Sequence, residues 1–464
     1  MLYLLLILLL IVILTINITG SGIIKKKITF KDFCFPKSYK LQSSQKFLGS
    51  FFTPEKIKKR GKNTLLVFHK IGSGKTCTSI QIAKNFIFKN SKPLFIMPAS
   101  LIPNFLDEVK TPCGTELRDF HITSYNGLLT KKFKDISIII IDEFQNIINQ
   151  KGTFFNIIIK LIESNPEIPV VILSGTPIFD NPGEFKSILR LLRIPNYNFP
   201  EDLEKKSLIS EFKKRVSYYG GAPSFTFPKI KSNIISCRMS PFQSKWYIAE
   251  VEAEERKNII KMCEVSNDFY IKSRQKANIT FGPDVNVSIK KLNDNLEKYS
   301  AKFYHLFKKL KKKRLAFIYT NFTGKYGIET LVKLLEYRGY KNFHKHGPGT
   351  DTFAVWSGNE TQTQKKNIKT VFNSPANNNG SKLRVIIGSS AIKEGVSFYR
   401  MEEVHILDMY WNYSRLEQIY GRAIRYCSHK TVPQHLRKVE LNLYTSISNS
   451  NISRVQKSVD KVML

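Results

Sequence analysis

The sequence predicts an α/β protein of two lobes, each built on a parallel sheet, joined by a mostly helical segment. Three observations predict it. Short apolar, β-branched runs alternate with helical stretches from about residue 45 to 195. A charged stretch of helical pattern, poor in such runs, continues to about residue 300. A second alternating series then begins at Leu315. Parallel strands read as continuous apolar runs because crossover helices cover both faces of the sheet.

Residues 1–22 open the chain with an unbroken apolar run, Leu2 to Leu14, that continues to Ile18. A bilayer span takes about 20 apolar residues, so this run is marginal. No Lys or Arg precedes Lys25, unlike a signal peptide, and Lys25, Lys26 and Lys27 would hold the downstream chain on the cytoplasmic side. Two readings stay open: a membrane anchor at residues 2–18, or a stretch outside the working protein. The rest of the chain is expected in the cytoplasm in either case.

The first lobe is expected at 40–195. Its strands are Thr64–Phe68, Leu94–Met97, Ile136–Ile141 and Val170–Leu173, with a helix from about Lys75 to Phe88. The helical segment is expected at 196–300. The second lobe, 301–464, has strand runs at Leu315–Tyr319, Phe353–Val355, Arg384–Ile387, Val404–Leu407 and Val439–Tyr444.

Composition narrows the function classes. The chain has 464 residues, 42% of them hydrophobic and 12% aromatic, which excludes wholesale disorder. Lys plus Arg number 73 against 37 Asp plus Glu, a net charge of +36. That excess points to a polyanion, nucleic acid or an anionic membrane surface, although an AT-rich genome would also encode many lysines. The six cysteines form no C-x-x-C pair and stand near no histidine at metal-ligand spacing. Neither a zinc site nor a disulfide framework is expected, as suits a reducing compartment.

Four motifs carry chemistry. Gly72-Ser73-Gly74-Lys75-Thr76 lies between a strand and a helix. Glycines let backbone N–H groups approach phosphates, the Lys75 ammonium balances the β/γ oxygens, and the Thr76 hydroxyl is placed to ligate Mg²⁺. The strict phosphate-loop pattern has glycine where this chain has His69. Next, the apolar strand run ends in Asp142-Glu143-Phe144-Gln145. Carboxylates at the carboxyl edge of such a sheet suit metal binding by Asp142 and activation of water by Glu143. Third, Ser174-Gly175-Thr176-Pro177 ends the next strand, where the hydroxyls of Ser174 and Thr176 would link nucleotide to a bound strand. Last, Gln418, Arg422 and Arg425 are spaced i, i+4, i+7, which predicts one helical face whose guanidinium groups meet a γ-phosphate.

GSGKT, DEFQ, SGTP and QIYGRAIR, in this order, resemble motifs I, II, III and VI of the superfamily 2 helicases. Further segments extend the resemblance over residues 40 to 445. Gln45-Lys46-Phe47 precedes motif I, and Pro98-Ala99-Ser100-Leu101 resembles motif Ia. Thr123-Ser124-Tyr125-Asn126 resembles the segment after it. In the second lobe Tyr299–Phe303, Ile318–Phe322, Ala354–Gly358 and Glu394–Phe398 match in the same way. The set is similar to the helicase-like NTPases of nucleocytoplasmic large DNA viruses, which include the poxvirus nucleoside triphosphate phosphohydrolase I and early transcription factor group. These are akin to Swi/Snf-type translocases.

The resemblance implies two RecA-like lobes, ATP with Mg²⁺ as cofactors, and nucleic acid, DNA or RNA, as partner. It also implies work beside a viral RNA polymerase or other transcription machinery. It adds Gln45 to the nucleotide site, and Thr123, Asn321, Ser389 and Gln145 to nucleic-acid contact or coupling. Two departures stand out. Gln145 replaces the histidine that many relatives carry, and Ser458-Val459-Asp460 looks like the start of a further family region shortly before Leu464. Three functions remain open at this point: a helicase or translocase, a transcription-factor subunit that uses ATP as a switch without separating strands, and a protein whose membrane tether is central.

Overall fold

The computed structural model describes residues 29–35, 40–70, 72–111, 113, 116–148, 152–177, 184–194, 206–260, 270–283, 286–393, 396–409 and 413–448. The chain divides into two compact units, Met1–Thr226 and Phe227–Leu464.

The first unit carries six strands: β1 (Thr64–His69), β2 (Lys92–Met97), β3 (His121–Ser124), β4 (Ile136–Asp142), β5 (Val170–Ser174) and β6 (Val216–Tyr219). They form one parallel sheet in the order β3-β2-β4-β5-β1-β6. Successive β4 residues feed opposite cores, as the two-residue period of a strand requires. Ile138 and Ile140 pack with Leu48, Ile80 and Phe105. Ile139 and Ile141 pack with Phe155, Ile158 and Ile188. Both faces are therefore covered by helices, and the strand shows no polar alternation for that reason.

The second unit carries β7 (Lys229–Arg238), β8 (Ala316–Tyr319), β9 (Lys341–Asn342), β10 (Thr352–Trp356), β11 (Val385–Gly388), β12 (Glu403–Ile406) and β13 (Lys438–Ile447). Its order is β7-β13-β12-β8-β11-β10-β9, again parallel throughout. Phe317, Ile386 and Val404 face one core, whereas Ile318, Val385 and Ile387 face the other. Two units with parallel sheets match the expected fold class.

The stretch 196–300 differs from the helical segment expected there. It supplies β6 to the first sheet and β7 to the second, and the helices after β7 lie in the second unit. The β7 strand is an edge with one neighbour, and most of its residues are exposed. A sequence such as Lys229-Ile230-Lys231-Ser232 therefore contains no buried apolar run to reveal it.

The cysteines require a correction. Cys77 and Cys113 are joined in a disulfide, 36 residues apart and 5.5 Å between Cα atoms. The pairing comes from packing of the helix Lys75–Ala83 against the helix Ile102–Val109, a tertiary contact that no local spacing encodes. Glu108 stands beside both sulfurs, which the bond withholds from metal binding. No helix among the described residues is long and apolar enough to cross a membrane. The apolar segment 1–22 and Ser458–Asp460 lie outside those residues.

Candidate functional site

The carboxyl ends of β1, β4 and β5 are adjacent, because β5 pairs with β1 on one side and with β4 on the other. Phe68 lies opposite Ser174, and Asp142 opposite Leu173. Motifs I, II and III therefore share one sheet edge, the place where open α/β sheets bind ligands.

After β1 the chain turns into the helix Lys75–Ala83 through Gly72 (φ 80°) and Gly74 (φ 76°), the left-handed region where glycine is favoured. A Cβ at Gly74 would also stand 2.5 Å from Gln45 Nε2. Gln45 is buried; its Nε2 donates to Gly74 O at 3.3 Å, and its Oε1 accepts from Gln42 N at 2.8 Å. Gln45 thus braces the loop from behind. The Ser73 hydroxyl is buried without a protein partner. Together with the helix N-terminus, this backbone cradle suits an anion.

His69 explains the departure from the strict motif. As the last residue of β1 it points its ring toward β6, with Nε2 3.1 Å from Ser217 Oγ and an edge contact to Tyr219. Its carbonyl accepts from Lys75 Nζ at 3.3 Å. Burial, then the nearby Lys75 charge, lowers its pKa to about 3. The imidazole is therefore neutral, and the turn is made by Gly72 and Gly74 without a glycine at 69.

Asp142 and Glu143 end β4. The Asp142 Oδ1 accepts from Glu143 N at 3.0 Å, and Glu143 adopts a left-handed backbone (φ 51°, ψ 45°). That conformation is costly for a residue with a Cβ and clusters at functional sites. Tyr125 OH holds the turn, donating to the carbonyls of Asp142 (2.5 Å) and Glu143 (3.1 Å). In the sequence Tyr125 is only one member of the Thr123–Asn126 segment; its role needs the fold to be seen. Glu143 Oε1 lies 3.9 Å from Lys75 Nζ, and its Oε2 accepts from Gln145 Nε2 at 2.6 Å. Motifs I and II thus meet through the ammonium and carboxylate assigned to them. Asp142 is buried, and Thr76 is the second residue of the adjoining helix. A carboxylate and a hydroxyl at the mouth of an anion cradle form a hard oxygen donor set that fits Mg²⁺.

The hydroxyls expected to contact nucleic acid are less open. Ser174 Oγ accepts from Thr176 N at 2.9 Å, and both residues are buried. Thr123 and Ser389 are each only 2% exposed, so direct side-chain contact with a strand would need these segments to move. Asn321 is half-buried, with Oδ1 accepting from Tyr319 OH at 2.8 Å.

In the second unit, the expected single helical face for Gln418, Arg422 and Arg425 is corrected. The helix Tyr413–Tyr420 carries Gln418 and ends before both arginines. Gly421 tightens the turn, where a Cβ would stand 2.7 Å from Glu417 O. Arg422 O accepts from Phe398 N at 3.0 Å, and an Arg425 guanidinium nitrogen bonds Ser397 Oγ. Motif VI is thus held by the motif V segment rather than by one continuous helix. Glu394 and Gly395 lie outside the described residues.

Comparison with known proteins gives three family matches. Residues 36–160 match the model of the type III restriction enzyme res subunit, 115–215 the SNF2-related domain, and 297–427 the helicase conserved C-terminal domain. A protein of Acanthamoeba polyphaga mimivirus, named for ATP-dependent RNA helicase activity, is 35% identical across 95% of this chain and 87% of its own length. Nucleoside triphosphatase I of Choristoneura biennis entomopoxvirus is 27% identical across 97% of this chain and 77% of its own. A termination factor homolog of African swine fever virus is 24% identical across 87% and 73%. Among solved structures, the Sulfolobus solfataricus SWI2/SNF2 ATPase core in complex with double-stranded DNA aligns over 88% of each chain at 18% identity and TM-score 0.35.

Proposed function

The chain belongs to the superfamily 2 helicases, and from that premise we propose that it is a nucleic-acid-stimulated ATPase that moves along or unwinds nucleic acid during viral transcription. In this reading residues of both units act on ATP. The observation that carries it is the meeting of Lys75 and Glu143, 3.9 Å apart beside a glycine-turned anion cradle. The viral relatives named for helicase, nucleoside triphosphatase and termination-factor roles support the setting.

Each residue has a task. Backbone N–H groups of the 72–75 turn and the Lys75 ammonium bind the β- and γ-phosphates. Thr76 and Asp142 would hold Mg²⁺, which when bound neutralises charge on the phosphate oxygens. Glu143 takes a proton as water attacks the γ-phosphorus and the bond to the bridging oxygen breaks. Gln145 fixes the rotamer of Glu143. Arg422 and Arg425 supply positive charge to the γ-phosphoryl group when nucleic acid is bound.

The test is steady-state ATP hydrolysis with single-stranded DNA, duplex DNA and RNA in parallel, alongside displacement of a tailed duplex. At least one nucleic acid should stimulate the parent, and Lys75→Ala should abolish turnover. Stimulation without displacement would favour a translocase or an ATP-driven transcription-factor switch over a helicase. Membrane attachment through residues 2–18 is tested by fractionating the full chain against one that starts at Ile23.

A further inference from the structure

Lys302 stands in the first turn of the helix Ala301–Leu310 and is 6% exposed. A buried ammonium is costly unless its donors are satisfied. Its Nζ donates to Leu407 O at 2.6 Å and to Asn278 Oδ1 at 3.1 Å. Both acceptors lead to the same loop. Asp408, next to Leu407 and 3% exposed, accepts through Oδ2 from Thr320 Oγ1 at 2.5 Å and Asn321 N at 2.9 Å. Asn278 donates from Nδ2 to Tyr326 O at 3.5 Å. The two ends of the loop 320–327, which leaves β8 at the carboxyl edge of the second sheet, are therefore tied to one cation.

Burial lowers the Lys302 pKa, and the Asp408 carboxylate acts against that shift. In the middle of the loop, Thr323 and Gly324 line a cavity of about 540 Å³ with Ser357 and Asn359, from the loop after β10. The Nδ2 of Asn321 is buried without a partner, so the network leaves a donor unspent at the loop's entrance.

We propose that Lys302 is a positioning residue for nucleic-acid engagement: through Asp408 and Asn278 it holds both ends of loop 320–327 in the conformation that meets the strand. This rests on the reading that the second unit contacts nucleic acid. Lys302 touches neither nucleotide nor strand, so its loss should weaken nucleic-acid coupling and leave the nucleotide site alone.

The experiment compares the full parent chain with Lys302→Met and Asp408→Asn. Hydrogen–deuterium exchange reads the loop directly, and ATP hydrolysis is titrated with an oligonucleotide that stimulates the parent. In Lys302→Met, amides of 320–327 should exchange about tenfold faster, the change expected for loss of a hydrogen bond to a charged group. The oligonucleotide concentration for half-maximal stimulation should rise about tenfold on the same ground. Hydrolysis without nucleic acid should stay at the parent rate, and saturating oligonucleotide should restore the maximum. Asp408→Asn, which keeps the acceptor but removes the charge, should shift both readouts less, and it carries the test if Lys302→Met does not fold. Unchanged exchange across 320–327 overturns the proposal. So does faster exchange with an unchanged half-activating concentration. A parent that no nucleic acid stimulates contradicts the proposed ATPase function, and the exchange result then decides the tethering on its own.

Discussion

Gln145 Nε2 donates to Glu143 Oε2 at 2.6 Å, so the fourth residue of motif II touches the carboxylate that would activate water. Many relatives place histidine there, and this chain meets the same position with an amide. An amide does not titrate, so the hold on Glu143 is independent of pH across the physiological range. Gln145→Ala frees one carboxylate oxygen and should lower kcat about tenfold while leaving the KM for ATP nearly unchanged, consistent with loss of one hydrogen bond to a charged group. Steady-state kinetics check it; a change confined to KM would move Gln145 to nucleotide binding.

Arg425 bonds Ser397, and Arg422 accepts Phe398 through its carbonyl, so both arginines are set by motif V. Arg425→Ala should keep ATP binding and lose hydrolysis by about 10³-fold, the lower end of what an arginine finger contributes. Arg425→Lys should rescue poorly, since an ammonium lacks the planar fork. Single-turnover hydrolysis with saturating oligonucleotide checks both, and parent-like rates would leave motif VI without a catalytic role.

His69 is held neutral in the fold, with its pKa lowered from 6.5 to about 3, first by burial and then by Lys75. The unfolded chain takes up a proton near the ordinary value and the folded chain does not. Its contribution to stability is therefore complete above pH 6.5 and is lost as the pH falls toward 3. Denaturant midpoints of the parent should drop between pH 7 and pH 5, and His69→Gln should flatten that slope.

Reducing the Cys77–Cys113 disulfide, which spans 36 residues, should cost the fold about 3–4 kcal/mol by the chain-entropy model. Urea unfolding with and without a thiol reductant measures it. The double variant Cys77→Ser with Cys113→Ser should lose the part of the reductant sensitivity that this bond contributes.

Much of the fold and the site is legible in the sequence, for physical reasons that differ by element. The run Ile138–Ile141 is readable because both faces of β4 are buried, and Asp142–Glu143 is readable because two adjacent acids break that apolar run at its carboxyl end. The β7 strand is hidden because an exposed edge needs no apolar run. The helix carrying Gln418 stops at Tyr420, which the i, i+4, i+7 spacing could not reveal, because the turn at Gly421 fits that spacing as readily as a helix does. The contacts of Tyr125 with the motif II turn and of Gln45 with Gly74 join residues 17 and 29 positions apart, and only the fold brings them together.

The most direct test of the ATPase engine is single-turnover hydrolysis by Glu143→Gln, beside the parent, with Mg²⁺ and a saturating stimulatory oligonucleotide. Glutamine keeps the size of the side chain near Lys75 and cannot accept the proton from water. The predicted result is a variant that still binds ATP and hydrolyses it at least about 10²-fold more slowly than the parent, the low end for a general base. Hydrolysis by Glu143→Gln at the parent rate would contradict the assignment and remove motif II from the chemistry.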